Sequence, residues 1–257
     1  MIKLNKVRRD APWTWIKLGW RDLTQAPGVS LAYGLIFTGV GALLTLGLAL
    51  MDQLVIAPVV MSGFALIAPA LAIGIYQVSR AMERGEKPRF RMVISRYPGR
   101  LSQIAFLSLL LLMLLLLWVR VAQFIFILVS PDAPIEPGPF LEYILTTPQG
   151  LSLAVIGTLV GAVLAAAAFA ISAIAFPMLV DQDVDAITAL VASIRAVFSQ
   201  PFVMLTWAWL IAFMVTAGIA VFLIGLTVTF PWIAHATWHA YKDFAPEPEQ
   251  SAASKTA

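Results

Sequence analysis

Apolar residues fall along this chain in long, nearly unbroken runs, and polar residues gather in the short segments between them. A bilayer core about 30 Å thick takes roughly 20 apolar residues as one helix. The pattern predicts a first span at Leu31–Leu50, a minimal turn at Met51-Asp52-Gln53 and a second span at Val55–Ser79. A third, leucine-rich span starts near Leu101, and its apolar run reaches Val129. At nearly 30 residues it would measure about 45 Å as a helix. That exceeds the core, so it must tilt, kink or continue along the far interface. A fourth span is expected at Ser152–Phe176, and a fifth and sixth share Phe202–Tyr241 with Gly218 as the pivot.

Two segments between the runs are amphipathic. From Trp13 to Leu23, the residues Trp13, Ile16, Trp20 and Leu23 recur at helical spacing with Lys17 and Arg21 alongside. That is the pattern of a helix lying in the interface, with aromatic rings at headgroup depth and cations toward phosphate. From Ala186 to Gln200, stopped by Pro201, positions Ile187, Leu190, Val191 and Ile194 form one stripe facing the bilayer or the span ends. Asp183 or Asp185 is placed to cap its N-terminus. The two segments resemble each other. Trp20-Arg21 precedes Pro27 as Ile194-Arg195 precedes Pro201, and Arg96-Tyr-Pro98 matches loosely. Spans two, four and six each carry a proline, at Pro69, Pro177 and Pro231. Three copies of a surface helix plus a hairpin are expected. Residues 130–150, rich in proline and free of Lys and Arg, read as an irregular outer loop.

The predicted architecture is therefore all-α: a polytopic six-helix bundle of three hairpins with interfacial helices on one side. Residues 1–30 form the amphipathic N-terminal segment, 31–243 the transmembrane domain and 244–257 a disordered tail. Composition agrees, with 60% hydrophobic residues, 12% charged and a mean hydropathy of +0.88 over 257 residues. Charge then orients the bundle. Of 17 Lys and Arg, 16 fall in the N-terminal segment, the 80–100 loop, the 181–200 segment and the C-terminus, leaving only Arg120 elsewhere. The positive-inside rule makes that side cytoplasmic, with both termini in. No cleavable signal is expected, so the first span would act as the insertion signal. Cysteine is absent, which excludes disulfides and thiolate chemistry.

Candidate chemistry is sparse. His235 and His239 are four apart on one helix face, Asp243 continues the stripe, and carboxylates such as Asp181, Asp183 or Asp185 could complete a metal shell. The alternative places both histidines in an interfacial exit among Trp232, Trp238 and Tyr241. Arg120 is an ionisable residue at membrane depth, a functional group or a snorkelling one. Gly157, Gly161 and Ala165 make a small-residue ridge for close helix packing. No phosphate loop, nucleophile triad or paired intramembrane carboxylate is present.

Several stretches carry a family resemblance. They are Gly19-Trp-Arg-Asp-Leu-Thr-Gln-Ala-Pro-Gly28, Pro69-Ala-Leu-Ala-Ile-Gly-Ile-Tyr76, Val184-Asp-Ala-Ile-Thr-Ala189 and His235-Ala-Thr-Trp-His-Ala-Tyr-Lys242. They resemble a bacterial inner-membrane family catalogued as domain of unknown function 2189. The resemblance implies a multi-pass membrane protein and brings no established activity. Relatives' names suggest an oxidase subunit, but a haem–copper core needs six histidines and this chain has two, so it is no catalytic oxidase subunit. The expectation is a non-enzymatic protein without a cofactor: lipid-binding, accessory, or an assembly subunit of a membrane complex. The alternatives are a small-solute transporter or channel, and a haem- or metal-binding protein through His235 and His239. Expected partners are anionic lipid headgroups on the cytoplasmic face and a membrane protein or second copy, with no nucleic acid.

Overall fold

Proline fixes where this chain's helices begin. Its locked φ suits the first helical turn, where its missing N–H is not needed. Among the described residues, 4–91 and 100–245 of a computed structural model, six helices carry it at the first or second position. They are α1 (Ala11–Gln25), α2 (Pro27–Leu50), α3 (Ala57–Leu71), α6 (Pro137–Thr146), α7 (Pro148–Ser172) and α10 (Pro201–Ala220). Between them lie α4 (Ile73–Glu83), α5 (Leu101–Val129), α8 (Ala175–Asp181) and α9 (Ala186–Ser199), and α11 (Leu226–Phe244) ends the described chain.

The two surface helices form as their patterns predict, and the corner after each is the same. Ala26, between α1 and α2, has φ −127° and ψ 51°; Gln200, between α9 and α10, has φ −135° and ψ 62°. One non-helical residue before a proline turns a surface helix into a membrane helix twice. The middle unit at Arg96–Pro98 lies outside the described residues, as do Lys3 and residues 246–257 of the expected tail. Phe244, placed in that tail by the sequence, is fully buried and belongs to α11.

Five stretches are long and apolar enough to cross a membrane: Pro27–Leu50, Leu54–Glu83, Leu101–Val129, Pro148–Asp181 and Pro201–Ala220. The second and fourth are helix pairs, α3–α4 broken at Ala72 after Pro69 and α7–α8 broken at residues 173–174 before Pro177. The third runs unbroken as α5. The sixth expected span is a correction. α11 carries His235, His239, Lys242 and Asp243 and does not reach that apolarity. The pivot moves too: the chain reverses at residues 221–225, and Gly218 instead gives the turn room, since a Cβ there would meet Leu226 Cδ2 at 2.9 Å. A further correction is α6, which occupies the expected irregular loop because Pro137 and Pro139 fall in a first helical turn rather than inside one.

The core lies toward the end of the bundle that bears α1 and α9. There α11 is enclosed by α1, α2, α4, α8 and α10, and Trp15, Trp207, Trp238, Tyr241, Phe176 and Phe244 are buried together. The strand of chain before α1 closes this end. Asn5 N donates to Phe244 O at 3.1 Å, and Val7 N donates to Gln200 Oε1 at 2.8 Å. The opposite half is lipid-facing: α5 exposes Leu109, Met113, Leu116 and Phe124 and anchors through Trp118, whose Nε1 donates to Val59 O and Ser62 Oγ, both at 3.0 Å.

Candidate functional site

The histidines of α11 face inward from a helix that α1 crosses at close range, while Asp243 near its end is exposed. Gly19 makes the crossing possible, because a Cβ there would sit 2.6 Å from the Ala236 backbone nitrogen. α2 packs along α11 through Ser30, Gly34 and Thr38, and a side chain at Gly34 would collide with Thr227 O. Small residues at both contacts bring three backbones together, and the polar side chains of α11 find partners there.

Each of those partners is specific. His235 is fully buried with Ser30 Oγ 2.9 Å from Nε2 and Ser79 Oγ 2.7 Å from Nδ1. A neutral imidazole uses one nitrogen to donate and the other to accept, so two hydroxyls, each able to do either, satisfy it fully. His239 Nε2 lies 2.7 Å from Asp22 Oδ2. Burial pushes the Asp22 carboxyl up, but the His239 hydrogen bond and the charges of His239, His235 and Arg21 outweigh it, and the group sits below its ordinary range. Trp15 Nε1 donates to Asp243 Oδ2 at 2.6 Å. Asp181, at the end of α8, accepts from Tyr241 Oη at 2.9 Å and Lys242 Nζ at 3.3 Å and pairs with Arg80 Nε at 3.4 Å. Lys242 also reaches Glu83 Oε1 at 3.1 Å. Arg100 caps the same helix end, its guanidinium donating to the carbonyls of Leu179 and Val180 at 3.1 and 3.3 Å.

This geometry does not assemble the metal trio expected from spacing. His235, His239 and Asp243 sit on one side of α11, but each is held by a different neighbour, and Asp181 faces cations. Among the described residues no three His, Asp or Glu side chains form a group that could hold a metal ion. The reading of Trp238 and Tyr241 as interfacial aromatics is also corrected. They are 1% and 0% exposed, because α8 and α4 cover the side of α11 that would have met headgroups. Trp232 is partly buried: its Nε1 donates to Ile16 O at 2.8 Å and its ring stands 4.6 Å from that of Trp20.

Trp13 and Trp20 of α1 face outward, 52% and 44% exposed, with Lys17 between them and Arg21 beside them. On α9 the alanines and Ser193 pack inward while Ile187, Val191 and Phe198 face out. Of the two candidate caps, Asp185 holds the position, accepting from Thr188 N at 2.9 Å and Thr188 Oγ1 at 2.6 Å. Those bonds lower its carboxyl below the usual range. Arg120 is exposed on α5 and donates to Gln123 Oε1 at 3.2 Å, one turn nearer the α5 end. The glycine ridge is only partly used: Gly161 lies against the Trp118 ring, Gly157 has nothing within 4 Å of a Cβ, and Ala165 is exposed.

Sequence reasoning missed Asp22, Ser30 and Ser79. Ser30 opens one apolar run and Ser79 ends another, so both read as boundary residues, and Asp22 reads as one more charge on a surface helix. Only tertiary pairing, across as many as 217 positions for Asp22, reveals them. The family resemblance is borne out over residues 56–181, just under half of the chain, which contain Pro69–Tyr76 but not the other three stretches. The family described as a predicted integral membrane protein, domain of unknown function 2189, matches residues 56–181, and the chain carries that family's domain there. No curated protein and no solved structure matches the chain.

Proposed function

We propose that this chain is a non-enzymatic multi-pass protein of a bacterial inner membrane, with both ends cytoplasmic. Its basic face binds anionic lipid headgroups, and it serves a membrane complex as a lipid-binding accessory element. The observation that carries the reading is the outward face of α1, where Trp13 and Trp20 stand exposed with Lys17 and Arg21 among them. Aromatic rings settle at headgroup depth, and each basic side chain near an anionic surface contributes about 1 kcal/mol. The apolar outer stripe of α9 extends the same surface. The polar groups of α11 support the non-enzymatic side of the reading, since its imidazoles and the neighbouring carboxylates are each engaged: His235 with two serines, His239 with Asp22, Asp243 with Trp15, and Asp181 with Tyr241, Lys242 and Arg80. The concentration of Lys and Arg at this end supports the cytoplasmic orientation.

The test compares nanodiscs of phosphatidylcholine with nanodiscs that also contain phosphatidylglycerol. Anionic lipid should raise the melting temperature of the natural chain. The variant Lys17→Glu with Arg21→Glu should lose that rise while melting normally in phosphatidylcholine alone. An equal rise in chain and variant would remove α1 as the headgroup site.

A further inference from the structure

We infer that α10 and α11 form a re-entrant hairpin, which enters the membrane from the α1 side, turns among the lipid acyl chains and returns without crossing. Register against α2 carries the argument. Ser30 pairs with His235 and Thr38 with Thr227, and each helix places its two residues eight apart, so the helices run antiparallel at matched rise. α11 begins at Leu226, one residue beyond Thr227, whereas α2 continues twelve residues past Thr38 to Leu50. At 1.5 Å per residue the turn stops about 18 Å short of the far end of α2. Since α2 lies about 16 Å on the other side of Thr38 back to Pro27, the turn is level with its middle.

The chemistry of the turn agrees with that depth. Val221-Phe222-Leu223-Ile224-Gly225 contains no polar side chain, and Phe222, Ile224 and Val221 are 90%, 68% and 59% exposed. The other turns that reverse the described chain carry charge, such as Asp52, Glu86, Asp132 and Asp183. Backbone in hydrocarbon pairs internally where it can: in the turn the amides of Leu223 and Ile224, and at the start of α11 those of Leu226, Thr227, Val228 and Thr229, donate to carbonyls between Ile219 and Gly225, while those of Val221, Phe222 and Gly225 do not. Phe222 and Leu223 adopt left-handed φ of 49° and 65°, a strained route that makes a tight apolar turn without a polar residue. The partner of this tip is therefore the acyl chains, and the inference does not rest on headgroup charge or on the proposed function.

Because the chain has no cysteine, single-cysteine variants report cleanly. In sealed vesicles, Phe222→Cys should resist a membrane-impermeant maleimide from either side, while Asp52→Cys labels from one side and Ser199→Cys from the other. A bimane on the same Phe222→Cys should be quenched most by lipids brominated near the chain ends. The labelling of Phe222→Cys after denaturation in detergent shows that the thiol is present and reactive. Labelling of Phe222→Cys from the Asp52 side would make the hairpin a full span and overturn the inference. So would protection without lipid quenching, which would place the tip against protein.

Discussion

α5 and α11 solve opposite problems. α5 is nearly all leucine and other apolar residues; it packs along α3 and α7, burying Leu107, Leu111, Trp118 and Ile125, and turns most of its surface to lipid. α11 carries two histidines, a lysine and an aspartate, and more than half of its residues are buried. In lipid, a polar side chain is tolerated where protein supplies its partner, and an apolar one needs no partner at all. Hydropathy along a chain therefore finds the periphery of a membrane bundle and passes over its centre.

The enclosure of α11 is most sensitive at its contact with α2. Gly34→Leu should force α2 away from Thr227, an overpacking that costs about 3 kcal/mol and should appear as a large loss of folded protein in detergent. The same substitution at Gly157, where nothing lies within 4 Å, should leave accumulation and melting unchanged.

A smaller effect is expected from Asp22→Asn, which removes one member of a buried pair and leaves His239 facing a neutral amide. Partial exposure of His239 screens the pair, so the loss should be about 2 kcal/mol. Acid titration sharpens the same point. The Asp22 carboxyl is lowered in the fold, so its stabilisation is present above the ordinary carboxylate value near pH 4 and is lost as pH falls through the lower folded value. Melting curves of the natural chain should show that acid loss, and Asp22→Asn should show less of it.

Next comes the cap of α9. Asp185→Ala should cost about 1 kcal/mol, whereas Asp183→Ala, whose side chain is 94% exposed, should be close to neutral. Reversed effects, read as shifts in chemical-denaturation midpoint, would show that the two carboxylates had been assigned the wrong way round.

How much of this was legible in the sequence follows from the same contrast. The limits of α5 could be read because Gly99 and Pro131 bracket an unbroken apolar run. The surface helices α1 and α9 could be read from periodicity, and their common corner from the matching Arg-to-Pro spacing. α11 could not, because its sequence looks the same whether its polar face meets water, headgroups or Asp22 and Ser79. Trp238 and Tyr241 were misplaced for that reason: an aromatic and basic helix end is what an interface selects, and it is also what a covered polar core selects. α6 was lost because prolines read as breakers until the helix start beneath them is known.

α11 is shielded from lipid although it lies within a membrane bundle. An apolar carbene precursor dissolved in the bilayer, followed by peptide mass spectrometry after photolysis, tests it directly. Labelling should be heavy across 101–129 and along 201–224, and almost absent across 232–244. Labelling of 232–244 as heavy as that of 101–129 would contradict the shielding.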